Sequence, residues 1–292
     1  MEFGLSTHLF HNERLERAHL DAIAAAGFTA IEIFATRTHV DYHDRRRVLE
    51  IGAWLRETRL EAVSMHAPIC DRFAGGAWGR AYSNASARPA VRQEALDETL
   101  AALDAARHLG CRTMVLHLGL PRGQTIPPDD NNAAAARHSL EALAAAAQSA
   151  GVRLALELIP NNLSTADALE ALFGGDLELG DAGVCLDLGH AHLMGGVPEA
   201  AEILSGHIIT THVHDNDRKA DTHRVPGEGT IDWPAAMTAL GKVGYSGPII
   251  FEVADHGDAA GVLRRTVGAR ARLRAILEDL AQPMDFSGNH LT

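Results

Sequence analysis

Cysteine is scarce in this chain: Cys70, Cys111 and Cys185 are the only three, widely spaced and without a C-x-x-C pair. That excludes a disulfide framework and fits a reducing compartment, so a cytoplasmic location is expected. An excess of positive charge is missing too. With a formal net charge of -12 the chain lacks the basic footprint of a nucleic-acid binder, although a local basic pocket remains compatible with it. No apolar run is long enough to cross a bilayer, and Met1-Glu2-Phe3-Gly4 has neither the basic start nor the apolar run of a signal peptide, so no membrane partner is expected. Also absent are a Gly-rich phosphate loop of the P-loop type, an internal linker, and any low-complexity stretch beyond one alanine-rich helix. The missing phosphate loop does not decide whether phosphate is bound, because barrels bind it by other loops.

What is there suits a single globular domain over residues 1–292, with 46% hydrophobic and 22% charged residues. Residues 3–7 read as a strand, and Leu15, Ala18, Ala22, Ile23 and Ala26 then recur at helical spacing up to Gly27. Further strands are expected at 30–34, 60–66, 113–117, 152–158, 183–187, around Ile208-Ile209-Thr210, and at 248–253. Helices are expected at about 44–57, through Leu96, Leu100 and Leu103 up to Gly110, at 133–150, from Ile231-Asp232-Trp233, and at 259–280, with a frayed tail from about 282. Units of about 30 residues alternating in this way make an α/β fold, a (β/α)8 TIM barrel. Residues 67–87, with Gly75, Gly76, Trp78 and Tyr82, show no sustained period; they are either a lid over the active face or a surface excursion pinned by its aromatics.

The seventeen histidines are informative by placement. His66, His117, Glu157, Asp187, His190, His212, His223 and Glu252 all fall at or just after expected strand C-termini, the ends that converge on one pit in a closed parallel barrel. Glu157 lies inside the apolar run Leu154 to Ile159, where a carboxylate needs a metal or a structural ion-pair partner. His212 and His214, two apart on an extended chain, share a face that suits a metal or an anion, unless they belong to a polar surface loop. Mixed carboxylate and imidazole donors suit one divalent ion of manganese, zinc, cobalt or iron better than calcium.

The stretches Cys185-Leu186-Asp187-Leu188-Gly189-His190-Ala191-His192, His212-Val213-His214-Asp215-Asn216-Asp217 and Pro226-Gly227-Glu228-Gly229-Thr230-Ile231-Asp232-Trp233, with weaker support from Ser64-Met65-His66-Ala67-Pro68, carry a resemblance. The chain resembles the xylose-isomerase-like barrels, which include sugar and sugar-phosphate isomerases and epimerases together with endonuclease IV. Likeness to the keto-sugar epimerases implies a metal held by Glu157, Asp187, His212 and Glu252, with Glu157 and Glu252 also transferring the proton through an enediolate. It further implies substrate contacts from His190 and Arg218, and we expect His66, His117, His223 and Trp78 to face the same small-molecule sugar or sugar phosphate. Likeness to endonuclease IV implies instead that His66 and His117 join Glu157 at a second ion and that His190, Asp221 and His223 hold a third. The acidic charge, the Asp-Leu-Gly-His sequence and the short gap from His212 to Asp221 favour the isomerase reading with one metal. A catalytically inert sugar-binding barrel is disfavoured because both glutamates are retained. Self-association into a homo-oligomer stays open.

Overall fold

In chain order the strands of the computed structural model, which describes residues 1–122 and 129–281, are β1 (Phe3–Ser6), β2 (Ala30–Phe34), β3 (Glu61–His66), β4 (Phe73–Ala74), β5 (Ala77–Trp78), β6 (Thr113–Leu116), β7 (Arg153–Glu157), β8 (Gly183–Asp187), β9 (Ile208–Val213) and β10 (Ile249–Phe251). Leaving out the β4-β5 hairpin, they close into one parallel barrel in the order β1-β2-β3-β6-β7-β8-β9-β10, and β10 pairs back with β1. The helices are α1 (Arg17–Ala25), α2 (Arg45–Thr58), α3 (Pro89–Leu109), α4 (Ala133–Ala150), α5 (Ala166–Phe173), α6 (Leu188–Met194), α7 (Val197–Ile203), α8 (Trp233–Lys242) and α9 (Ala259–Ala281). This is the (β/α)8 barrel expected. No described helix is long and apolar enough to cross a membrane. The tail expected to fray from about 282 lies outside the described residues.

The two-residue period of a strand explains both the core and the site. Ala30, Val63 and Ile250 form one small buried cluster and Val115, Ala155 and Cys185 another, both apart from the main core. The residues after them, such as Ile31, Leu116, Leu156, Leu186 and Phe251, belong to that main core, which the helices cover. One further step up the strands returns the chain to the barrel interior, and there stand Glu32, His117, Glu157, Asp187 and Glu252. The strands β2, β6, β7, β8 and β10 thus each place an apolar plug beneath a polar group. Gly4 on β1 makes room for Ile250 at its level, since a Cβ there would lie 2.6 Å from Ile250 Cδ1.

Helix starts are set by side-chain caps: Asp44, Asn132, Thr165 and Asp232 accept backbone N–H groups at α2, α4, α5 and α8. Asp187 does the same for α6, so that β8 passes into the helix with no intervening loop. Three helices, α5, α6 and α7, have no counterpart in the sequence reading; α6 is a seven-residue continuation of β8. α5 and α7 are eight and seven residues long, too short to display a helical period, and α7 follows Gly195-Gly196 with a proline in its first turn. Residues 67–87 are also more ordered than their composition suggests. Gly75 (φ 61°) and Gly76 (φ 77°) make a two-residue turn that pairs Phe73 with Trp78 in the β4-β5 hairpin. His117 and Glu252, expected inside strands, are the first residues beyond β6 and β10.

Candidate metal centre

Four ligand atoms, one each from Glu157, Asp187, His212 and Glu252, lie within 4.8 Å of one another at the C-terminal end of the barrel. His212 is the hub. Its Nδ1 is 3.1 Å from Glu157 Oε1, 3.4 Å from Glu252 Oε2 and 3.8 Å from Asp187 Oδ2. Its Nε2 is 3.1 Å from Glu32 Oε2, and Glu32 in turn accepts Ser6 Oγ at 3.1 Å and Ser64 Oγ at 2.8 Å. An ionised Glu32 can only accept, so Nε2 carries the proton and the Nδ1 lone pair faces three carboxylates. Three buried acids around a lone pair are unfavourable without a positive charge between them, and the donor set fits a divalent cation. Asp187 Oδ1 accepts the His190 backbone N–H at 2.7 Å, and both Asp187 oxygens lie 3.1 Å from His214 Nε2.

Two further groups share this logic: His66 and His117 with Glu157, and His190, His214 and His223 with Asp221. His66 Nδ1–H donates to Ala67 O (2.8 Å), His190 Nδ1–H to Leu158 O (3.1 Å) and His223 Nδ1–H to Glu252 O (2.8 Å). A backbone carbonyl can only accept, so each Nε2 is left with its lone pair. Those lone pairs face carboxylate oxygens, His66 toward Glu157 at 3.1 Å, His190 toward Asp221 at 3.0 Å and His223 toward Asp221 at 3.2 Å. Acceptor facing acceptor requires a proton or a metal ion between them. With protons there, burial alone would lower these imidazoles, but Glu157 overrides it and pushes His66 up to about 9, and Asp221 pushes His223 up to about 10. Glu157 responds in kind: burial would raise it, yet His117 and His212 hold it well below the usual carboxylate range.

His214, paired with His212 at the outset, joins a different group. Its ring stacks on His223 (centroids 3.9 Å, 12°), its Nδ1 has no partner, and a Cβ on Gly189 would fall on it. Asp215, next in the chain, is scaffolding. It accepts Gly227 N at 2.7 Å, Ile231 N at 3.2 Å and Trp233 Nε1 at 3.0 Å, which explains the spacing of the Pro-Gly-Glu-Gly segment.

The pit above these groups is a cavity of about 630 Å³, and His66, His117, Glu157, His190, Asp221, His223, Glu252 and Trp78 all line it. Trp78, 41% exposed, stacks on His11 (4.9 Å, 9°), and His11 stacks on His8 (4.5 Å, 13°). Tyr82 is buried and pins the hairpin's far end instead of lining the pit. Arg218 departs from its expected place. Its N–H donates to Asn216 Oδ1 in a left-handed turn (φ 66°), and its exposed side chain lines an adjoining depression with Arg122 and Lys219. Glu32, His8 and His11 were missed. Glu32 carried a signal, an acid inside the apolar strand Ala30–Phe34, of the kind that singled out Glu157; His8 and His11, in the 3-10 turn after β1, carried none.

A family profile described as xylose isomerase-like TIM barrel matches residues 20–278. The chain belongs to that family. Among similar proteins, an uncharacterized protein of Methanocaldococcus jannaschii is 28% identical over 271 residues, 89% of this chain and 86% of the relative. The barrel superposes on a D-tagatose 3-epimerase-like protein with a TM-score of 0.79 and 24% identity, covering 97% of this chain and 100% of the other. It also superposes on a D-psicose 3-epimerase in the presence of D-fructose with a TM-score of 0.75 and 17% identity, covering 95% and 99%. At those identities the superpositions speak for the fold of this xylose isomerase-like barrel.

Proposed function

We propose that this chain is a divalent-metal-dependent isomerase or epimerase of a sugar, moving a proton on and off a carbon beside a carbonyl. The observation that carries the proposal is the pair Glu157 and Glu252, two buried carboxylates brought to one centre from β7 and from the end of β10. Strands three places apart on the ring present them from different sides, as removal and return of a proton on opposite faces require. A cation held by Glu157, Asp187, His212 and Glu252 would supply Lewis-acid polarisation of adjacent substrate oxygens. Glu157, kept ionised by His117 and His212, takes the proton from one face, and Glu252, entering the step as the carboxylic acid, delivers its own proton to the other, the two carboxyls exchanging protons with solvent between turnovers. The imidazoles of His66, His117 and His190 hydrogen-bond hydroxyls, and the Trp78 hairpin covers the pit and excludes water. Similarity to a D-tagatose 3-epimerase-like protein and to a D-psicose 3-epimerase supports this chemistry. The test is metal analysis coupled to a deuterium wash-in screen over keto- and aldo-sugars. Exchange of an α-hydrogen that depends on metal supports the proposal, and its absence across the screen refutes it.

The locked tautomers of His66, His190 and His223 favour a second reading, in which the two flanking groups hold further cations and the enzyme cleaves a phosphodiester. The net charge of -12 and the acidic rim weigh against a polyanionic substrate. Three ions in the purified protein with metal-dependent nicking of abasic duplex DNA would establish that reading in place of the first. A single tightly bound ion, no nicking and binding indifferent to salt are expected on the isomerase reading.

A further inference from the structure

We infer that the wall of the pit facing the metal centre reads an uncharged polyol and excludes phosphorylated sugars, with His8 and His11 as its hydrogen-bond acceptors and Trp78 as its stacking face. This rests on the proposed sugar chemistry and adds the substrate's class. His8 Nδ1–H donates to Val253 O at 3.3 Å and His11 Nδ1–H to His8 O at 2.7 Å, so each ring keeps a free Nε2 lone pair, and both rings line the cavity. A neutral imidazole held in that tautomer accepts a hydrogen bond from a hydroxyl and offers none to a phosphate oxygen.

These acceptors belong to a stack of rings that ends in Trp78. Trp78, His11 and His8 lie nearly parallel, and Phe73 meets the His11 ring edge-on at 4.6 Å. A sugar presents C–H faces to such a surface and hydroxyl edges to the acceptors beside it. Charge points the same way. Glu157, Glu252, Asp221 and Asp255 line the cavity, and among the described residues that line it there is neither lysine nor arginine. The basic side chains of Arg122, Arg218 and Lys219 lie in the adjoining depression, where Asp167 and Glu199 offset them. A sugar phosphate turned away from the metal centre would therefore bring its dianion against carboxylates, with no lysine or arginine among the described lining residues to receive it and with the His66 and His223 imidazoles already engaged by Glu157 and Asp221.

The test titrates the metal-loaded protein with matched pairs, D-fructose and D-tagatose against their 6-phosphates, following tryptophan emission and heat of binding. The free sugars are expected to bind at least tenfold more tightly than the phosphates. His8→Phe and His11→Phe keep the ring stack but remove the acceptor, and each should weaken free-sugar binding about three- to tenfold with metal content unchanged. His11→Gln, which restores an acceptor, should recover part of the loss and guards against a folding defect in the Phe variant. Phosphates that bind as tightly as the free sugars, free sugars that do not bind, or Phe variants with wild-type affinity would each overturn the inference. Failure of the proposed chemistry looks different: a free sugar that binds as described yet never exchanges its α-hydrogen sinks the isomerase reading and leaves the wall assignment standing.

Discussion

Replacing Glu32 tests whether the metal centre depends on a residue that never touches the pit. Glu32 is fully buried and serves three donors: His212 Nε2–H, Ser6 Oγ–H and Ser64 Oγ–H. Glu32→Gln keeps the shape, but an amide is a weaker partner than a carboxylate for an imidazole that must turn its lone pair toward three acids. Loss of such an outer partner costs about 10- to 100-fold in metal affinity, or roughly 1.4 to 2.8 kcal/mol. The Gln variant should fall near the lower end. Glu32→Ala, which strands three buried donors and frees the imidazole to turn, should reach the upper end or beyond. The assay is competition for zinc or manganese against a chromogenic chelator, with thermal melting of the chelated protein recorded in parallel. Unchanged metal affinity in Glu32→Gln, with only a lower melting temperature, would refute the reasoning and reduce Glu32 to a packing residue.

Other expectations follow from the same geometry. Asp187→Ala or His212→Ala should strip the metal and the activity while the barrel stays folded by circular dichroism; full occupancy in His212→Ala would contradict the ligand set. Glu157→Gln or Glu252→Gln should slow α-hydrogen exchange by about 10² to 10⁴, and wild-type exchange would remove that residue as a required base. Trp78→Ala should lower kcat or raise KM with metal content intact, and unchanged kinetics would leave the hairpin without a role in turnover. The chelated protein should lose stability as pH rises. His66, raised above its ordinary value to about 9, stabilises fully below about 6.5 and loses that contribution of about 3 kcal/mol as pH climbs through about 9. His223, raised to about 10, extends the decline, and only cations at the two flanking groups, as in the phosphodiesterase reading, would replace both protons and flatten it. Denaturant melts of chelated and metal-loaded protein between pH 6 and 10 measure the difference, and parallel curves would argue against cations at the flanking groups.

The barrel was legible because its strands are buried on both faces and its turns are marked by Gly27, Gly110 and Gly151, and because chemistry-bearing residues gather at one end of every unit. Glu157 and Asp187 could be found from their apolar surroundings alone. The short helices α5, α6 and α7 escaped because seven or eight residues complete barely two turns, and the hairpin escaped because its strands are two residues long. What the chain hides is direction. Nothing in His-Asp-Asn-Asp-Arg reveals that Asp215 ties the following loop together or that Arg218 turns out of the pit, since both depend on hydrogen bonds to residues that only folding brings near. His8 and His11 are equally silent, because the 3-10 turn that aims them follows a strand of only four residues.

Anomalous diffraction from crystals of the protein grown with manganese or zinc tests the central claim most directly. An element-specific peak is expected, coordinated by Glu157, Asp187, His212 Nδ1 and Glu252, with His212 Nε2 still on Glu32. Crystals saturated with metal that show no peak at that position, and a His212 ring turned away from the three carboxylates, would contradict it.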